Sequence, residues 1–153
     1  MKRIVAVAII TLFALAGAFA QDQHAGASAY SGTMELRTSI TDFAAMASGS
    51  DSAIQARTKG KAFMLLGSLA KPIVSDIDNF IAVAEFSEGR WIGTSNIELF
   101  RVYLEYRGDD YRFLLTVPVG TRAIVVVDRP TIAPGPDGEP AVFFQVLAIT
   151  VLN

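Results

Sequence analysis

Apolar positions along the chain fall into one long unbroken run at the start and a series of short strand-like runs after residue 58. Residues 62–66, Ala-Phe-Met-Leu-Leu, form the first of these, closed by Gly67 and bent away by Lys71-Pro72. In the next, Phe80, Ala82, Ala84 and Phe86 lie on one side and Ile81, Val83 and Glu85 on the other, the period of two of a half-buried strand. Ser87-Glu88-Gly89-Arg90 then reads as a turn into Trp91-Ile92-Gly93.

The alternation is clearest over residues 99–117. Phe100, Val102, Leu104 and Tyr106 alternate with Arg101, Tyr103 and Glu105. After Arg107-Gly108-Asp109-Asp110, Tyr111, Phe113, Leu115 and Val117 alternate with Arg112, Leu114 and Thr116. A four-residue loop carrying Gly and Asp suits a β-hairpin. The predicted register sets Tyr106 opposite Tyr111, Leu104 opposite Phe113, Val102 opposite Leu115 and Phe100 opposite Val117. It also puts Glu105 beside Arg112 on the other face, where opposite charges attract.

Val119-Gly120-Thr121 turns the chain into a continuous apolar strand, residues 123–127. Residues 130–140 hold Pro130, Pro134, Pro136 and Pro140 with Gly135 and Gly138, which predicts an exposed loop with a Pro-Asp-Gly turn, not a helix or central strand. Residues 141–152 close the chain as a long strand, apolar except at Gln145 and Thr150. Before the strands, Thr41-Asp42 caps a short helix over residues 43–47 that Ser48-Gly49-Ser50 ends; the alternative is a first strand over residues 35–40.

The opening run changes the picture. Lys2 and Arg3 precede an uncharged stretch, residues 4–19, that closes on Ala18-Phe19-Ala20. A basic start, an apolar middle and a small-x-small end are the pattern of a secretory signal peptide. Residues 1–20 are therefore expected to be a cleaved leader, 21–33 a disordered lead-in and 34–153 a single β-barrel domain, periplasmic or secreted, with no stable membrane span after cleavage. Removing 20 of the 153 residues leaves 133, one domain's worth. The chain has no cysteine, so it carries no disulfide and no cysteine-linked lipid. Since the leader holds two of the 13 basic residues and none of the 15 acidic ones, the remainder has a formal charge of −4. That modest acidic balance argues against a dedicated nucleic-acid binder, and no DNA partner is expected.

Candidate chemistry is sparse. His24 is the sole histidine and falls in the lead-in, which removes Ser-His-Asp triads and histidine-based zinc sites. Asp76-Ile77-Asp78-Asn79 has oxygens at alternate positions like part of a calcium loop, but lacks the following glycine and the distal glutamate. Asp109-Asp110 reads as turn chemistry. Glu85 and Glu88 flank the turn into Trp91, and nothing sets them at the separation a glycosidase pair needs. No catalytic residue, metal site or cofactor is expected. The candidate ligand-binding residues are Trp91, Arg101, Tyr103 and Arg112, an aromatic and arginine set able to stack bases or sugars.

Five strands at these spacings suggest a small barrel. Lys59-Gly60-Lys61 leading into residues 62–67, and Val119-Gly120-Thr121-Arg122 opening residues 124–127, resemble the OB-fold, in particular exported bacterial tRNA-anticodon-like modules. The resemblance covers residues 59–152 and implies an all-β fold, a five-stranded, mostly antiparallel barrel with a short N-terminal helix. The strands carry fewer basic residues than such modules do. The expected function is a non-catalytic binding or envelope-associated module with a protein or envelope component as partner. Two alternatives stand beside it: a carbohydrate- or nucleotide-type ligand on an exposed aromatic and arginine face, and a small carboxylate-dependent hydrolase.

Overall fold

The computed structural model describes residues 24–25 and 32–152. The leader and most of the lead-in lie outside the described residues. Among those described, eight strands form one sheet. They are β1 (His24–Ala25), β2 (Thr33–Glu35), β3 (Lys61–Leu69), β4 (Ile73–Asp76), β5 (Ile81–Ile92), β6 (Asn96–Arg107), β7 (Arg122–Pro134) and β8 (Pro140–Val151). Helices α1 (Ile40–Met46) and α2 (Asp51–Thr58) precede β3, and a 3-10 helix (Asp109–Leu115) joins β6 to β7.

Five strands close a ring. β3 pairs with β7 over Phe63↔Val127 to Ser68↔Arg122 and, at its far end, with β5 through Ser68↔Ser87 and Leu69↔Phe86. β5 pairs with β6, β6 runs parallel to β8, and β8 returns to β7. The step from β6 to β7 skips over β8, a Greek-key crossover. Gly67 lies where β3 begins to change partner. A Cβ there would meet Ile40 Cδ1 and Ser87 O at 2.8 Å and Phe86 Cε1 at 2.9 Å, so the close approach needs glycine. The expectation of five mostly antiparallel strands is thus corrected. β1, β2 and β4 extend the sheet beyond the ring, and β2–β3 and β6–β8 are parallel.

Alternation places the core. Ala82, Ala84 and Phe86 of β5 face inward with Val102, Leu104 and Tyr106 of β6, Val125 and Val127 of β7, and Phe144 of β8. Phe80 joins them, as the pattern predicts. α1 closes one end with Ile40 and Phe43, whose ring meets Phe63 and Phe144 edge-on at 4.9 and 4.7 Å. The short helix forms as expected, but its cap is Ser39 in a capping box with Asp42.

Three expectations fail for physical reasons. The hairpin of residues 99–117 does not form, because both edges of β6 are taken by β5 and β8. Residues 109–115 coil instead and bury Tyr111 and Leu114, three apart, the period of a 3-10 helix. Tyr106 and Tyr111 still meet, with ring centroids 5.4 Å apart. The turn assigned to residues 87–90 is strand, and β5 turns only after Ile92. The proline-rich loop is also mostly strand. β7 carries one extra residue between Asp128 and Thr131, with Arg129 at φ 46°, and this bulge admits Pro130. Only the Pro136-Asp137-Gly138 tip turns as expected, with Gly138 at φ 83° and Gly135 N donating to Glu139 O at 2.8 Å.

Candidate functional site

Strand pairing decides which side chains share the outer face of β5 and β6. Glu85↔Tyr103, Ser87↔Arg101, Gly89↔Leu99 and Trp91↔Ile97 stand directly opposite each other on it. Beyond residue 87 the two strands extend past the ring as an arm, and Trp91, Ile97 and Leu99 are 65%, 55% and 70% exposed. Gly89 leaves a shallow floor among them, since a Cβ there would lie 3.2 Å from Ile97 Cγ2 and 3.6 Å from Leu99 Cδ2. The result is an apolar dish with an indole at its edge.

Nearer the ring the same face becomes polar. A groove of about 310 Å³ is lined by Lys71, Ile73, Glu85, Arg101, Tyr103 and Asp137 among others. Arg101 pairs with Glu85 at 3.9 Å and with Asp137, which ties the Pro-Asp-Gly turn down over the sheet. Tyr103 is buried beneath that turn and stacks on Phe143 with ring centroids 4.9 Å apart. Burial pushes its phenol above the ordinary value; Arg101 pulls it down, and Glu85 and Asp137 add to the rise.

The sequence-predicted set is therefore divided. Trp91 and Arg101 share one face, with Trp91 at the tip of the arm and Arg101 nearer the ring. Tyr103 supports the face as a packed ring and does not present a stacking surface. Arg112 belongs elsewhere. It donates from Nε to Asp109 Oδ1 at 2.7 Å and from Nη2 to the carbonyls of Ile77 and Asp78 at 2.6 and 3.1 Å, while lying over the Phe80 ring. Gly89, Ile97 and Leu99 were missed because the polar cluster of residues 87–90 imitates a turn. The better signal was alternation continuing on both sides of Gly93-Thr94-Ser95.

The acidic candidates are occupied with structure. Asp76 accepts from the backbone of Asp78 and Asn79 and from Asn79 Nδ2, bonds that hold its carboxyl below the usual range. Glu85 and Glu88 lie three apart on one strand and so point to opposite faces. Among the described residues no cluster of three or more His, Cys, Asp or Glu comes together to hold a metal. The side chain of His24 lies outside what is described.

No protein-family model and no curated protein matches the chain. Among solved structures it is similar to the Plasmodium falciparum SSB in complex with ssDNA, at 13% identity and a TM-score of 0.40, over 60% of this chain and 94% of that one. It is similar also to the small single-stranded DNA-binding protein from Streptomyces coelicolor, at 13% identity and a TM-score of 0.40, over 57% of this chain and 88% of that one. At these identities the likeness concerns the fold alone. Both are named for single-stranded DNA, which corrects the expectations of an envelope-associated module and of no DNA partner.

Proposed function

We propose that the outer face of β5 and β6 binds a ring-bearing ligand of nucleotide type, such as a short single-stranded oligonucleotide, by stacking more than by charge. The observation that supports this is the exposed indole of Trp91 beside the apolar dish of Gly89, Ile97 and Leu99. A flat apolar ring set on such a surface gains about 1–3 kcal/mol per stacked base. The strands 2–3 face of a five-stranded OB barrel, to which β5 and β6 correspond in the ring, is also where such barrels take oligonucleotides and oligosaccharides. Arg101 supplies one cation near the stack.

The charges on the two strands set the character of binding. Arg90, Arg101 and Arg107 are outnumbered by Glu85, Glu88, Glu98 and Glu105, so phosphates find little net attraction. That balance favours a second ligand class, neutral oligosaccharides, whose hydroxyls donate to carboxylates such as Glu85. To the same proposal belongs an exported setting, for which the basic, apolar and small-residue pattern of residues 1–20 speaks.

Trp91 is the sole tryptophan, so its fluorescence reports directly on the dish. Titration with oligothymidylate is expected to quench it, with a slope of log Kd against log salt below about one. Trp91→Ala is expected to weaken binding about tenfold or more without changing thermal stability. Quenching by a neutral oligosaccharide and not by DNA selects the second ligand class. Silence toward both removes the proposal.

A further inference from the structure

A larger groove, about 880 Å³, opens between α2 and the β7 bulge and shares no lining residue with the β5–β6 face. Its charged lining is unlike the rest of an acidic chain. Lys59, Lys61 and Arg129 border it, against the single carboxylate of Asp128. The walls are fixed, because Ile132 N of β7 donates to Asp51 Oδ1 of α2 at 2.8 Å. Arg129 sits at φ 46°, a backbone conformation that side chains other than glycine adopt at a cost, and its Nη1 donates to Gln145 Oε1 at 3.1 Å.

Asp128 is the unexplained member. The residue is 92% buried; its Oδ1 is sealed from solvent with no hydrogen-bond partner among the described residues, while Oδ2, the oxygen left reachable, has Arg129 Nε at 3.6 Å, beyond ordinary hydrogen-bond distance. A buried carboxylate in that state is costly unless a donor satisfies it. An inorganic anion without a proton, such as sulfate, would be drawn by the three cations but would offer the carboxylate no donor and would be repelled by it. A molecule with an anionic end and a separate N–H or O–H donor answers both halves of the lining. We propose that this groove is a second binding site, which takes a small organic phosphate or carboxylate that also carries such a donor. The anion lies against Lys59 and Lys61, and the donor is given to Asp128 Oδ2.

The test is calorimetric titration of the whole chain with four probes. Adenosine monophosphate joins a phosphate to hydroxyl donors, and free glycine joins a carboxylate to an ammonium; inorganic sulfate, which carries no proton, and adenosine each lack one half. One of the two bifunctional probes is expected to bind at least tenfold more tightly than either half-probe, and which one binds identifies the anion. Asp128→Asn, and Lys59→Ala combined with Lys61→Ala, are each expected to weaken it at least tenfold. The lysine variant alters side chains at the groove's edge and leaves the core intact. Trp91→Ala is expected to leave this binding unchanged, so the two sites fail independently. Equal binding of inorganic sulfate would reduce the groove to a plain anion patch and overturn the proposal. Indifference to Asp128→Asn, loss on Trp91→Ala, or no binding of either bifunctional probe at millimolar concentration overturns the proposal.

Discussion

Tyr106 buries its hydroxyl in the core with no hydrogen-bond partner among the described residues. Burial drives its ionisation far above the ordinary phenol value, with Tyr111 adding to the rise, so the group stays neutral. A neutral orphan of this kind has lost its water and gained nothing in exchange, and the ring alone does the packing against Tyr111. Tyr106→Phe is therefore expected to leave stability unchanged or raise it by about 1 kcal/mol in urea denaturation. A loss larger than about 1 kcal/mol would show that the hydroxyl has a partner in solution. Tyr111 differs, because its hydroxyl donates to Val146 O at 3.3 Å and couples the 3-10 helix to β8.

At the scale of elements, the 3-10 helix and the β4–β5 turn are held to each other by one side chain. Arg112 reaches from the helix to two carbonyls of the turn and lies over Phe80, itself at the strained φ of 43°. Arg112→Ala is expected to cost about 1–3 kcal/mol by thermal or urea unfolding, since charge-assisted bonds to carbonyls and a packed stem are lost together. Quenching of Trp91 by ligand is expected to stay as in the wild type, which separates Arg112 from the binding face. Why this arginine looked like a ligand residue is physical. Period-two alternation over residues 111–117 was consistent with a strand, but it names no partner, and the edge of β6 it required belongs to β8. Local signals fared better. The inward set Phe80, Ala82, Ala84 and Phe86, the long last strand and the Pro-Asp-Gly tip depend on neighbours in sequence and were legible. α2 was not, because it buries only Ile54 and Thr58 and so shows no apolar stripe. Trp91 and Arg101 were legible as site residues, whereas the burial of Tyr103 depends on Phe143 and a turn more than thirty residues away.

For the whole molecule, carboxylates of opposite habit shape stability against pH. Asp42 is held below its ordinary 3.8 chiefly by the backbone bond from Ser39, and Asp76 chiefly by the side chain of Asn79. Both contribute stability that is present above pH 3.8 and is lost as pH falls through their lowered values. Asp128 is raised above 3.8 because burial disfavours its charge, an effect that Arg129 only partly offsets. Its contribution is whole below pH 3.8 and is lost as pH climbs through the raised value, since the folded state then holds a desolvated anion. Asp128→Asn removes that loss and leaves the other two in place. The variant is expected to match the wild type near pH 3 and to exceed it at pH 7, by at most about 1 kcal/mol once water at the open side of the carboxylate is allowed for. Denaturant midpoints measured across that range check it, and a difference that shrinks as pH rises would refute the assignment. A neutral-pH gain in the same variant that loses ligand in the α2–β7 groove would mean that the fold gives up stability to keep this carboxylate charged, as a binding residue requires and a packing residue does not.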